Sequence, residues 1–213
     1  MYTPLYPSAS KGTMVNEGHY RLALLVCILV TITTRYGYAW RHRATYIKPK
    51  PTEETRRDWF LYSLAVMIGS TLVVQLVGYD LRPMGLTPVA DTVVRSCGLA
   101  VGVLAALGTL WPQFVRKNTW SSPMTSPDQI GDHRLITWGP YKYVRHPFYA
   151  ACILGVLAIE LTLASTFVFI LPPILMLIVA IGVGKEEQQL EAVYGDQFRD
   201  YKTRSWRLIP LVY

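Results

Sequence analysis

Apolar positions in this chain gather into long unbroken runs rather than narrow stripes. Residues 20–40, 59–78 and 94–114 each supply the roughly 20 apolar residues that a helix rising about 1.5 Å per residue needs to cross hydrocarbon. A fourth run, 149–184, has 36 residues and a single charge, Glu160. One helix of that length would reach about 54 Å, far beyond one crossing. The run therefore predicts a helical hairpin turning near "TLAST", residues 162–166. Pro172 and Pro173 would fall inside its second arm, where neighbouring helices satisfy the freed carbonyls. Glu160 is then expected at the far rim of the hairpin.

The intervening segments have a different character. Residues 1–19 form a polar tail without the basic start and early apolar core of a cleaved signal. In "KPKPTEETRRDW" the prolines oppose helix until Thr52, which is placed to start the second span. A long loop, 115–148, precedes the hairpin, and its aromatic content argues against disorder. After residue 184 the chain reads "KEEQQLEAVYGDQFRDYKTRSWRLIP". Leu190, Val193 and Tyr194 share a helical face, Gly195 is a helix stop, and Asp196 can cap a further turn carrying Phe198 and Tyr201. The predicted fold is all-α. It is a polytopic membrane protein of about five transmembrane helices, three in 20–114 and a hairpin in 149–184. A pocket is built from the 112–147 loop and the 185–213 tail.

Composition agrees with this picture, and charge orients it. Only 16% of the residues are charged, against about 25% in average soluble domains. Of the 21 Lys and Arg, six fall in 41–58, five in 112–147 and five in 185–213, whereas the amino-terminal segment through Arg21 and the 80–95 connection hold two each. Rich and poor segments alternate as five spans require, so the positive-inside rule places the carboxyl terminus in the cytosol and the amino terminus outside or in the lumen. The net charge of +7 is thus a topology signal and a contact with anionic lipid. Nucleic-acid binding is disfavoured because the basic residues are divided among loops. Cys27, Cys97 and Cys152 all lie in predicted spans, where small apolar packing explains them better than a disulfide or a metal site.

Two polar constellations fall on the same predicted side. In "GPYKYVRHPFYAACILG", Arg145 and His146 stand immediately before Pro147, which suits the first turn of a helix. Ionisable groups at a span either snorkel to the interface or form a functional site. Glu186 and Glu187 end the last apolar run. They are either solvated residues of a helix that continues to Tyr194, or partners of a cation such as Arg145 or a cationic ligand, since carboxylates at a helix carboxyl end oppose the macrodipole. Trp138, Tyr141, Tyr143, Phe148 and Tyr149 surround this motif as interface anchors or as walls for a flat or cationic ligand. No dinucleotide fingerprint, phosphate loop, HExxH or GxSxG is present.

These pieces resemble the isoprenylcysteine carboxyl methyltransferase family of membrane enzymes. "HRLITWGPYKYVRHPFYAACILG" is similar to its cofactor motif, and "EEQQLEAVYGDQFRDYKTRSWRLIP" to its carboxyl-terminal signature; together they cover roughly the last 80 residues. The resemblance implies S-adenosylmethionine as methyl donor in a cytosolic pocket. It implies that His133, Leu135, Ile136, Tyr141, His146, Pro147, Phe148, Tyr149 and Glu186 bind the cofactor. Arg145 and Glu187 would complete the catalytic site, Arg145 as a bidentate partner of an anionic acceptor. The acceptor implied is lipophilic, an isoprenylcysteine-like carboxylate entering from the bilayer, with no protein partner required. The membrane would be the endoplasmic reticulum of a eukaryote or the inner membrane of a prokaryote. The family pattern also implies an arginine about one turn before the Glu pair, where this chain reads Ile181, Gly182, Val183, Gly184. That departure leaves a lipophilic acid, phenol or thiol open as acceptor. Two other readings remain: an NADPH-dependent enzyme akin to sterol reductases, which share an RHP-tyrosine pattern, and a non-catalytic membrane scaffold.

Overall fold

A computed structural model describes residues 11–41, 69, 72–75, 84–116 and 135–210. Most of the 59–78 span, the connector carrying Thr52, and the loop segment containing His133 lie outside the described residues. Regular structure among the described residues is helical: α1 Lys11–Arg41, α2 Pro88–Arg116, α3 Pro147–Thr162, α4 Leu171–Tyr194 and α5 Asp196–Thr203, with short 3-10 turns at Gly139–Lys142 and Thr166–Phe169. Among the described residues, three stretches are long and apolar enough to cross a membrane: Gly18–Tyr38, Pro88–Val115 and Thr166–Tyr194. Helix α3 is equally apolar but has only 16 residues, about 24 Å of rise. The protein is an all-α membrane protein, with the expected hairpin made of a short arm, α3, and a long arm, α4.

Small residues determine how closely α2 and α3 approach. Gly98, Gly102 and Gly108 of α2 face Thr162, Ala158 and Ala151 of α3, so the two helices run antiparallel at close range. A Cβ on Gly98 would stand 2.4 Å from the Thr162 nitrogen. In lipid, where water drives no helix together, such close backbone contact supplies the dispersion that holds the pair. Between α1, α2 and α3 this packing leaves an apolar cavity of about 150 Å³, lined among others by Leu24, Cys27, Gly102, Ala151, Gly155 and Ala158.

The hairpin turn falls where expected, but three local expectations change. Pro172 and Pro173 lie in the first turn of α4 rather than within the arm, where their missing N–H groups have no intrahelical partner to lose. Glu160 lies two residues from the end of α3, yet it is completely buried instead of sitting at an open rim. The side chains of Ser165 and Gln75 face its carboxyl without closing to hydrogen-bonding geometry. Residue 195, and not Asp196, is the cap of α5: Gly195 takes φ 53° and ψ −124° and stops α4 as expected, while Asp196 begins α5 and receives Arg199 at 3.0 Å. The far end of α3 is closed by Arg95, which donates from Nη1 to the Thr162 carbonyl at 3.1 Å and from Nε to Asp91 at 2.7 Å. A cation on a terminal carbonyl complements the helix dipole there. The cysteines are free thiols; Cys27 and Cys152 are partly buried, whereas Cys97 is exposed and does not pack inside.

Candidate active site

At the opposite end of α3 the chain folds into a compact polar knot. Gly139, with φ 65°, opens the 3-10 turn against α2; a Cβ there would lie 2.9 Å from Val115 Cγ2. Tyr143 and Val144 donate to the Pro140 carbonyl and complete the turn. Residues 143–146 then run beside the tail. Trp206 N donates to the Tyr143 carbonyl (2.9 Å), Arg145 N to that of Trp206 (2.8 Å) and His146 N to that of Arg207 (3.1 Å), forming a parallel bridge centred on Val144 and Trp206. Pro147 ends this stretch and begins α3 with His146 as its cap residue.

Helix α5 presses the tail into place. Phe198, Tyr201 and Leu208 are buried, and the Tyr201 hydroxyl donates to the Tyr141 carbonyl at 2.6 Å. Burial pushes the Tyr201 phenol above its ordinary range, an effect the nearby Arg145 charge only partly offsets. It therefore stays a neutral donor.

The centre of the knot is Glu187. Its Oε1 accepts from Arg145 Nε at 2.7 Å, and its Oε2 accepts from Arg207 Nη2 at 2.7 Å and Nε at 3.0 Å. Arg145 Nη1 donates in turn to the carbonyls of Ser205 and Lys202. A carboxylate with 4% side-chain exposure is tolerable only when its charge is met by donors of this kind. His146 lies between the two carboxylates, with Nδ1 3.7 Å from Glu186 Oε2 and Nε2 3.4 Å from Glu187 Oε1. His146 Nε2 and Glu186 Oε2 are buried and make no hydrogen bond. The helix does continue to Tyr194, but Glu187 is buried rather than solvated, and Arg145 meets it.

The structure thus brings together Arg145, His146, Glu186 and Glu187. Pro147, Phe148 and Tyr149 occupy the adjoining first turn of α3, and the Tyr149 ring lies 5.9 Å from that of His146 and 5.8 Å from that of Phe148. Tyr141 is buried in the 3-10 turn, while Leu135 and Ile136 are half-buried just before it. His133 lies outside the described residues. One expectation shifts: Arg145 does not present an open fork to an anionic acceptor, because its Nε and Nη1 are engaged by Glu187 and tail carbonyls. Sequence reasoning missed Arg207, and it placed Tyr201 on the face of a further turn without giving it a part in the site. The local signal for Arg207 was the alternation in "SWRL", with Leu208 buried and Trp206 more open.

Residues 99–197 match the phospholipid methyltransferase family. The chain is 34% identical over 70 residues to methanethiol S-methyltransferase 1 of Bradyrhizobium diazoefficiens, covering 33% of this chain and 24% of that protein. It is 33% identical over 84 residues to protein-S-isoprenylcysteine O-methyltransferase of Schizosaccharomyces pombe, covering 38% of this chain and 35% of that protein. The chain thus spans about a quarter and about a third of the length of these relatives.

Proposed function

We propose that this chain, whose residues 99–197 match a phospholipid methyltransferase family and which is similar in part to a protein-S-isoprenylcysteine O-methyltransferase, transfers a methyl group from S-adenosylmethionine to a lipophilic acceptor at the membrane. The observation that carries the reading is the cluster of His146 with Glu186 and Glu187, in which His146 Nε2 and Glu186 Oε2 are buried without a hydrogen bond, beside the aromatic rings of Tyr149 and Phe148. A carboxylate and aromatic faces are complementary to a cationic ligand, so these residues fit the donor. When bound, S-adenosylmethionine supplies an activated methyl on a positively charged sulfur. Glu186 and His146 would hold its polar part, and Tyr149 and Phe148 would flank it. The work of the protein is to align donor and acceptor and to exclude water. The Arg145–Glu187–Arg207 bridge fixes the walls against which this alignment occurs.

The apolar cavity supports a lipophilic acceptor arriving through the bilayer, because its wall includes Ala151 and Cys152, about one turn beyond Tyr149. A carboxylate acceptor of the isoprenylcysteine kind is the first reading. A specific observation favours a second, a lipophilic thiol: Arg145 and Arg207 are both directed onto Glu187, and Gly182 leaves open space where the family pattern implies an arginine. Methylation of each acceptor by the purified protein, using methyl-labelled donor, separates the two. Label recovered in a base-stable thioether supports the thiol; a base-labile ester supports the carboxylate and overturns the second reading.

Calorimetric titration tests the proposal itself. Detergent-purified protein is expected to bind S-adenosylmethionine and not NADPH. Glu186→Ala should weaken donor binding at least about tenfold, the scale of one lost charge-assisted contact. Binding of NADPH without the methyl donor would overturn the methyltransferase reading in favour of a reductase.

A further inference from the structure

Arg207 is not among the residues that would hold the donor or that line the apolar cavity. It lies on the tail, its side chain is 29% exposed, and both of its bonded nitrogens reach back to one oxygen of Glu187 on α4. Glu187 holds Arg145 through its other oxygen, and Arg145 returns to the tail at the Ser205 and Lys202 carbonyls. The contacts therefore form a closed ring: Arg207 to Glu187, Glu187 to Arg145, Arg145 to the tail. The backbone bridge between 143–146 and 205–207 consists of three bonds around one residue pair. A pairing that short is not stable in water by itself. The side chains must hold the tail in place, and they differ in mobility. Arg145, at 10% exposure, cannot leave its partners without stranding a buried charge, whereas Arg207 is already partly hydrated.

We infer that Arg207 is the positioning residue of the site: it latches the 205–207 tail across Glu187, and through Glu187 it fixes Arg145 and His146 in the arrangement that receives the methyl donor. The link to the donor rests on the methyl-transfer reading above; the latch itself rests only on the geometry. A salt-bridge latch with one exposed member also gives the tail a means of opening for exchange of donor and product.

The test uses the full chain in lipid nanodiscs, as wild type, Arg207→Ala and Arg207→Lys. Hydrogen exchange of the Arg145, His146 and Trp206 amides reads the latch without any ligand. These amides should exchange about tenfold faster or more in Arg207→Ala, with Arg207→Lys intermediate because it keeps the charge and loses the fork. Donor affinity by calorimetry should fall in the same order, whereas the melting temperature changes little. Unchanged exchange in Arg207→Ala would overturn the latch. Faster exchange with donor affinity within twofold of wild type would overturn the positioning role. If wild type binds no donor, the methyl-transfer reading falls, and the exchange data still decide the latch. Should Arg207→Ala not fold, Arg207→Lys carries each comparison.

Discussion

Replacing Glu187 by alanine is expected to abolish the proposed methyl transfer, by at least about a hundredfold, and to lower the melting temperature by roughly 6–20 °C. Glu187 touches both arginines, and its side chain is 4% exposed. Removing one partner of a buried ion pair costs about 3–5 kcal/mol, because the charge left behind is neither hydrated nor paired. Arg145 would be left in that condition, retaining uncharged partners on the tail, the Ser205 and Lys202 carbonyls and the Ser205 hydroxyl. The informative control is Glu191, one turn further along α4. It makes equally short bonds, 2.8 Å to Arg199 and 2.9 Å to Lys202, but at an exposed site where solvent and salt screen the attraction. Glu191→Ala should leave both melting temperature and turnover close to wild type. Thermal unfolding and labelled-methyl assays of the two variants decide the matter. Equal behaviour would mean that burial does not distinguish the two sites.

The contrast between these glutamates shows what could be read from the residues. Apolar run length located α1, α2 and the hairpin, since a span depends only on consecutive hydrophobicity and rise per residue. Glycine chemistry located the stop at Gly195, which takes the positive φ that side chains avoid. The meeting of Arg145 with Glu187 could be anticipated because each is anomalous in its own segment and one relieves the other. The rest depended on contacts that no local pattern encodes. Arg207 reaches Glu187 through a bridge too short to leave a strand periodicity. Glu160 is buried partly by Gln75, from residues 72–75, some 85 positions earlier in the chain. Apolar counting placed Pro172 and Pro173 within a span but could not see that the 3-10 turn at Thr166–Phe169 delays the start of α4. The small residues of α2 and α3 were visible in the sequence, yet spacing alone does not say which helix approaches which.

That approach leads to the second large effect: Gly98→Leu should prevent the membrane domain from assembling. A Cβ at position 98 would lie 2.4 Å from the Thr162 nitrogen, 2.6 Å from its Oγ1 and 2.8 Å from the Leu161 carbonyl carbon. Two of these three are backbone atoms, so no rotamer change relieves the overlap and α2 must move away from α3. Movement there also breaks the Arg95 contact with the Thr162 carbonyl, leaving a 5% exposed guanidinium with one partner fewer. The other glycines of α2 form an internal scale. At Gly108 the added carbon would meet Ala151 Cβ at 3.0 Å, and at Gly102 it would meet Ala158 Cβ at an ordinary 3.6 Å. Alanine is intrinsically better than glycine in a helix by about 1 kcal/mol, whereas overpacking costs about 1–3 kcal/mol or more. Alanine should therefore be tolerated or mildly stabilising at 102, mildly destabilising at 108 and severely destabilising at 98. Thermal unfolding of the three alanine variants, with size-exclusion profiles for Gly98→Leu, measures that order. A monodisperse Gly98→Leu protein melting like wild type would show that α2 and α3 do not touch there. The same series reaches the active site, because α3 carries Thr162 at one end and His146 and Pro147 at the other. A rigid helix displaced at Thr162 shifts the His146 end as well, so donor affinity of the surviving variants should follow the order of their melting temperatures.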